Sequence, residues 1–198
     1  MCSIYFVRHG LTNDDLPTND RVTGWLDIDI NAEGRANARR AAHILKSKGI
    51  TSITSSDSKR CCHTAEIIGR ELSLPVIESD KLRSWNMGAL QGMLHTTANP
   101  FMEFFEKNPD VTVPKGEPFR RFYNRFRAAF NGFVAYVRKF PNAVPLVCTH
   151  SQDLDMITWF IKGVEPGREL EFGNGIKPGG ILEVNIEGDK ITMRKLRL

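Results

Sequence analysis

The chain has 198 residues, of which 41% are hydrophobic and 25% are charged, and its formal net charge is +4. These values fit one globular domain with a sizeable core, and such a small positive excess does not call for a nucleic-acid partner. No apolar run approaches the roughly 20 residues of a membrane span. The first apolar run begins almost at Met1, so we expect neither a secretory signal nor a membrane partner.

The four cysteines are Cys2, Cys61, Cys62 and Cys148. Their spacing matches no zinc-binding motif, and two of them are adjacent. Such a pattern is typical of reduced thiols. We therefore expect a cytoplasmic protein.

The first apolar run, Ile4 to Val7, predicts a buried strand that stops at Arg8, His9 and Gly10. Ligand crevices of open α/β sheets lie at the carboxyl ends of the strands. An arginine beside a histidine at such an end indicates an anion site that holds a nucleophile or a base. A polar loop, Leu11 to Asp20, follows.

The next stretch predicts a strand-helix-strand pattern. Asn31 is a good N-cap for a helix, and Ile50 to Thr54 is a short β-prone run. The segment Ser55 to Asp57 is expected to cap a second helix that carries Arg60 near its start. Leu74 to Ile77 predicts a third strand, at the edge of the sheet or with a proline at its start.

The segment from Leu82 to Pro114 loses clear periodicity and predicts an excursion over the sheet edge, with a helix from about Phe101 to Lys107. A long helix from Glu117 follows, and we interpret its stripe of aromatic residues as core packing. The excursion, about residues 85–118, has a cap-like position in what we expect to be a single domain over residues 1–198.

A second histidine also ends a strand. Ala143 to Thr149 predicts an apolar strand that ends in His150, and Ser151 can cap the next helix. The tail, Gly180 to Leu198, predicts two strands joined by a turn at Gly188.

If these strands are neighbours, two histidines and two arginines converge. Guanidinium groups bind phosphate with two parallel hydrogen bonds, and a neutral imidazole is a competent nucleophile toward phosphorus. We therefore predict phosphoryl transfer through phospho-His9, with the transferred group stabilised by Arg8, Arg60 and His150.

Several short motifs, spread along most of the chain, occur in an order that is typical of one protein family. They are Arg8-His9-Gly10, Thr23-Gly24-Trp25-Leu26-Asp27, Asn31-Ala32-Glu33-Gly34, Ser55 to Arg60 with Thr64-Ala65, Gly88-Ala89-Leu90-Gln91-Gly92, Gly116-Glu117 and Thr149-His150-Ser151. Together they resemble the histidine phosphatase superfamily in its phosphoglycerate mutase-like branch.

The resemblance implies a three-layer α/β/α sandwich with a mainly parallel central sheet and a small helical excursion over its carboxyl-terminal edge. It also implies His9 as the nucleophile, a phosphate pocket of Arg8, Arg60 and His150, and no metal or other cofactor. The expected substrate contacts are Asn13, Thr23, Gly24, Ser84 and Ser151.

Two departures from the family pattern affect the chemistry. Ser84 stands where this branch usually has a glutamate that protonates the leaving group. Serine cannot deliver a proton at useful rates near neutral pH, so Glu117, Asp153 or Asp14 is left as a substitute.

The second departure is Asp15, which occupies the place of a phosphate-binding asparagine. A carboxylate there would repel phosphate, so Asn13 or Asn19 is expected to take over that contact. The chain also lacks the longer basic insertion of the glycolytic mutases, which favours hydrolase over mutase.

The leading prediction is a phosphohydrolase that acts on a small phosphorylated metabolite or a phosphorylated side chain. One alternative is a phosphoglycerate mutase-type phosphotransferase. The other is a catalytically weak regulatory protein that binds a phosphorylated ligand. The physiological substrate and the oligomeric state stay open.

Overall fold

A six-stranded sheet with helices on both faces forms the described part of the structure, a computed structural model that covers residues 2–167 and 175–196. The strands are β1 (Cys2–Arg8), β2 (Ser52–Ser56), β3 (Val76–Ser79), β4 (Pro145–Thr149), β5 (Ile181–Glu187) and β6 (Lys190–Leu196). The helices are α1 (Ala32–Leu45), α2 (Lys59–Leu72), α3 (His95–Lys107), α4 (Phe119–Lys139) and α5 (Ser151–Lys162).

The strand order is β3-β2-β4-β1-β5-β6. The pairs β1–β4, β2–β4 and β2–β3 are parallel, whereas β1–β5 and β5–β6 are antiparallel. In the β1–β4 register Arg8 lies opposite Thr149. The residues that follow these two, His9 and His150, therefore leave the sheet side by side at its carboxyl-terminal edge.

Side chains of β1 alternate between two apolar layers, as the period of a strand requires. Ile4 and Phe6 pack in the layer that contains the buried stripe of α4, whereas Tyr5 and Val7 pack in the layer of α1 and α2. The α4 stripe is core, as expected: Phe126, for example, is fully buried. The predicted three-layer α/β/α fold is confirmed.

The starts of three helices, α2, α3 and α5, differ from the prediction. Asn31 does cap α1, and its side-chain oxygen accepts from Gly34 N at 2.9 Å. Ser55 and Ser56, however, continue β2 because they still pair with its neighbours β4 and β3. The N-cap of α2 is Ser58 instead.

Helix α5 is capped by His150 and not by Ser151, in a capping box with Asp153. Helix α3 begins at His95, earlier than predicted, and has Pro100 inside it. An isolated bridge between Arg21 and Leu94 fixes its start against the loop that follows β1. In the described ranges, we find no helix long and apolar enough to cross a membrane.

Candidate active site

His9 is buried at the end of β1, and its backbone N–H donates to the Thr149 carbonyl at 3.0 Å. Its Nδ1 lies 2.9 Å from the carbonyl oxygen of Gly10. A carbonyl oxygen can only accept, so this contact places the ring hydrogen on Nδ1. The lone pair of the neutral ring is then on Nε2.

Gly10 is required by close packing against helix α1. A Cβ at Gly10 would lie 2.3 Å from the carbonyl oxygen of Gly34, and a Cβ at Gly34 would lie 2.2 Å from the carbonyl oxygen of Leu11. The Gly10 N–H donates to Thr64 Oγ1 at 2.9 Å. Three of the sequence motifs therefore meet around the backbone that carries His9.

Arg60, in the first turn of α2, is almost fully buried. It donates to the carbonyl oxygens of Gly24 at 2.7 Å and Leu26 at 3.1 Å, and to Ser84 Oγ at 3.3 Å. It also donates to His150 Nδ1 at 3.0 Å. These contacts fix the guanidinium between the loop after β1 and the second histidine.

The His150 ring lies 5.4 Å from the His9 ring, centroid to centroid. Since an arginine can only donate, Nδ1 of His150 accepts from Arg60, and the ring hydrogen is on Nε2. That nitrogen lies 3.1 Å from Ser56 Oγ, to which it donates.

Both histidines are neutral near pH 7. Burial, followed by the positive charge of Arg60, lowers the pKa of His9 to about 3 from its ordinary 6.5. Burial and the same guanidinium lower the pKa of His150 well below its ordinary value. A neutral His9 is the reactive form of a nucleophile, and the fixed positive charge around it belongs to the arginines.

Hydrogen-bond partners compensate the charge of the Asp15 carboxylate, which would otherwise repel phosphate. It accepts from Arg8 Nη2 at 2.8 Å, from Thr12 N at 3.0 Å and from Thr12 Oγ1 at 2.6 Å. Burial opposes its ionisation, but His9, Arg8 and these hydrogen bonds lower its pKa. Asp15 therefore orients Arg8, whose other terminal nitrogen donates to the Ile176 carbonyl at 3.1 Å.

A cavity of about 460 Å³ opens above the two strand ends. Eight of the nine sequence-predicted site residues line it: Arg8, His9, Thr23, Gly24, Arg60, Ser84, His150 and Ser151. Asn13 does not. Its exposed side chain points elsewhere, because its oxygen accepts from Asn31 Nδ2 at 3.1 Å. Asn19 is outside the lining too, with its amide donating to Asp14 at 3.1 Å.

The three carboxyl groups suggested as substitutes for the missing glutamate have different positions. Asp14 lines the cavity. Glu117 is buried outside it and accepts from Arg125 at 2.8 Å and from Asn86 N at 3.1 Å. Asp153 is fully buried under the α5 N-terminus and accepts from Thr149 Oγ1. Glu117 and Asp153 are therefore structural, and neither can reach a leaving group.

Glu106 is a cavity residue that the sequence did not reveal. It lies on α3, in the excursion, and no motif surrounds it. The only available signal was the helix predicted from about Phe101 to Lys107, which contains Glu106 but does not tell which side faces the cavity. Within the described ranges, no group of three or more His, Cys, Asp or Glu side chains is arranged to hold a metal ion.

Known proteins resemble both the sequence and the fold. The sequence profile of the histidine phosphatase superfamily (branch 1) matches residues 4–198. A probable phosphoglycerate mutase GpmB of Proteus mirabilis is 34% identical over 169 residues, which are 83% of this chain and 76% of that protein. The uncharacterized phosphatase PhoE of Bacillus subtilis is 29% identical over 84% of this chain and 80% of its own.

Among solved structures, a mycobacterial glucosyl-3-phosphoglycerate phosphatase superposes with a TM-score of 0.81 at 22% identity, over 98% of this chain and 97% of that one. The fold is thus that of the histidine phosphatases. The chain belongs to the histidine phosphatase superfamily, branch 1, and the resemblance indicated by its motifs is confirmed.

Proposed function

We propose that this protein is a phosphohydrolase that removes a phosphoryl group from a small phosphorylated substrate through phospho-His9. The observation that carries the proposal is the state of His9. Its neutral ring has Nδ1–H bonded to Gly10, and it lines the cavity together with Arg8 and Arg60. A nucleophile toward phosphorus needs this combination of a free lone pair and nearby positive charge.

In the first step, the Nε2 lone pair of His9 forms a bond to phosphorus. The bond between phosphorus and the ester oxygen breaks, and the leaving alcohol takes a proton from water or from an acid in the cavity. In the second step, a water molecule attacks the phosphorus, loses its proton to solvent, and releases phosphate as the phosphorus–nitrogen bond breaks. His9 recovers its lone pair.

Arg8 and Arg60 are proposed to stabilise the charge on the equatorial phosphoryl oxygens. The Nε–H groups of both arginines are buried and have no protein partner in the described part of the chain. Buried donors without partners are rare, and an anion at this site would supply acceptors. His150, Thr23, Gly24, Ser84 and Ser151 are proposed to complete the site.

A phosphoglycerate mutase-type transferase is the second candidate. The name of the Proteus mirabilis relative favours it. The missing basic insertion favours the hydrolase. A weakly catalytic protein that binds a phosphorylated ligand is the third candidate, which rests on the departures at Ser84 and Asp15.

The decisive experiment traps the intermediate. We expect ³²P from a phosphoester to label the wild-type protein, and the label to be lost in acid and kept in alkali, as for a phosphoramidate. His9→Ala should carry no label and show no turnover, whereas His43→Gln, which changes an exposed histidine of α1, should behave as wild type. Full activity of His9→Ala would exclude the mechanism. Isomerisation of phosphoglycerate at a rate above phosphate release would favour the mutase.

We further propose that residues 1–198 act as one domain with the excursion as a cap, without a nucleic-acid or membrane partner. The thiols of Cys61, Cys62 and Cys148 are buried and unpaired. They suit a reducing compartment such as the cytoplasm.

A further inference from the structure

The outer end of the cavity has the opposite charge to its inner end. Besides Asp15, which pairs with Arg8, the walls contributed by α3, by the loop after β1 and by α5 carry five carboxyl groups: Asp14, Asp20, Glu103, Glu106 and Asp155. In this outer part the described lining offers one arginine, Arg21, whose Nε donates to Asn19 and whose Nη1 donates to the Gly92 carbonyl, each at 2.7 Å. A substrate that extends outward from His9 therefore enters an acidic environment.

Glu106 differs from the other four carboxyl groups. Its side chain lines the cavity although the residue is only 9% exposed, and within the described ranges it has no hydrogen-bond or ion-pair partner. By contrast, Glu103, one turn earlier on α3, is two-thirds exposed and 3.8 Å from Lys107. A buried carboxyl group without a partner is costly unless a ligand supplies one.

The lining also limits the kind of cation that fits. Quaternary ammonium groups are held by the faces of aromatic rings, and the described lining contains no Phe, Tyr or Trp. A primary ammonium group instead donates hydrogen bonds to carboxylate oxygens. The cavity volume of about 460 Å³ lies in the range of small-molecule sites.

We propose that the outer end of the cavity binds a primary ammonium group with Glu106 as its main acceptor, so that the substrate is a phosphate monoester whose leaving group carries a primary ammonium group. This inference rests on the proposed phosphatase function and names its substrate class. A phosphoglycerate, which carries a second anionic group, would meet the same carboxylates and be repelled.

The protonation of Glu106 gives the proposal a pH signature. Burial, followed by the charge of Glu103, raises the pKa of Glu106 to about 8. The charged and titratable groups of its helix and of the cavity lining are Arg8, His9, Asp14, Asp15, Asp20, Arg21, Arg60, His95, Glu103, Lys107, His150 and Asp155. An ammonium group that binds the carboxylate must displace its proton, so selectivity for the amine should rise with pH until Glu106 is ionised.

The test compares phosphate esters of equal length that end in an amine, a hydroxyl or a methyl group, from ethanolamine phosphate to aminohexanol phosphate. Because hydrogen bonds to charged groups contribute about 1.5–3 kcal/mol, we expect the best amine to exceed its methyl counterpart about 10- to 100-fold in kcat/KM. This ratio should rise between about pH 6 and 8 and then level off. Choline phosphate should show no such advantage over its own neutral counterpart.

Two variants test whether Glu106 causes the preference for amine-terminated esters. Glu106→Gln should bring the amine-to-methyl ratio close to one and remove its pH dependence. Glu103→Gln, the same change on an exposed and paired side chain, should keep most of the ratio. A wild-type ratio near one, a ratio that persists in Glu106→Gln, or an equal advantage for choline phosphate would overturn the inference.

The outcomes separate this inference from the proposed function. Labelling of His9 and release of phosphate from all esters, without a preference for amines, would reject the ammonium site and keep the phosphatase. If no ester is turned over, the phosphatase is rejected. Calorimetric affinities of the same esters for wild type and Glu106→Gln then decide the ammonium site.

Discussion

At the scale of single residues, the substitution at Ser84 has the clearest consequence. Its hydroxyl donates to the Gly24 carbonyl at 2.9 Å and accepts from Arg60 at 3.3 Å, so it occupies the edge of the site without an acidic proton. A general acid contributes about 10²–10⁴-fold where the leaving group needs a proton. Aryl phosphates leave without that help, whereas alkyl phosphates leave as poor alkoxides.

We therefore expect the wild-type rate to fall steeply as the pKa of the leaving group rises. Ser84→Glu should speed alkyl esters by about 10² or more and leave aryl esters little changed. The measurement is a plot of log kcat/KM against leaving-group pKa for both proteins. Ser84→Gln introduces a side chain of the same size as glutamate but without an acidic proton. Its plot should therefore be as steep as that of the wild type.

A flat wild-type plot would mean that another acid already serves the leaving group. Asp14→Asn would then become the decisive variant, because Asp14 is the one of the three suggested substitutes that lines the cavity. Equal gains for Ser84→Gln and Ser84→Glu would indicate an effect of shape alone.

At the scale of elements, helix α1 supports the His9 turn through its N-terminus. Asn31 accepts from Gly34 N at 2.9 Å, and its backbone N–H donates to the Leu11 carbonyl at 2.9 Å. The cap thus joins the helix to the chain just after Gly10. Loss of the cap should lower the stability of the protein more than its catalytic rate, because the contacts between Gly10 and Gly34 remain.

We expect Asn31→Ala to lower the free energy of unfolding by about 1 kcal/mol. Asn31→Asp keeps the accepting oxygen but loses the amide that donates to Asn13, so it should lose clearly less. Urea denaturation of the three proteins makes the comparison. Equal losses in both variants would assign the effect to the contact with Asn13 and not to the cap.

At the scale of the whole molecule, Glu106 links stability to pH. Its pKa is raised to about 8 in the folded protein from an ordinary value of 4.5. Between these values the folded state keeps a proton that the unfolded state has lost. Stability therefore falls as pH rises through this window, at up to about 1.4 kcal/mol per pH unit from this group.

Glu106→Gln removes that dependence, so the variant should gain stability over wild type as pH rises from about 5 to about 8. The gain should be constant above that range. The measurement is the difference between the two unfolding free energies at several pH values. Glu103→Gln is the exposed control, for which we expect a smaller dependence on pH, because burial, the larger cause of the raised Glu106 pKa, remains. A flat difference for Glu106→Gln would contradict the raised pKa.

Most of the fold follows from local pattern. Local pattern alone predicts three features: the strand at the apolar run from Ile4 to Val7, the buried aromatic stripe of α4 and the cap at Asn31. It is sufficient there because a strand has a period of two and a helix one of 3.6. The same logic fails at helix starts such as Ser55 and Ser56. There, pairing with two neighbouring strands outweighs the tendency of serine to cap.

The residues of the site also fall into those that local pattern predicts and those that only the fold brings into place. By itself, the sequence determined that Arg8, His9, Arg60 and His150 end strands or start helices, and that the chain resembles the histidine phosphatases. Residues at such ends meet whenever the strands are neighbours, so local pattern is sufficient for them.

Only the tertiary structure decided the rest. In the folded protein, Asn13 lies outside the cavity and Asp15 pairs with Arg8. Glu117 and Asp153 are buried outside the cavity, whereas Glu106 lies in its wall. The physical reason is that burial and partnership depend on segments far apart in the chain. The position of a carboxyl group in a sequence does not determine whether an arginine, a backbone N–H or a ligand will face it.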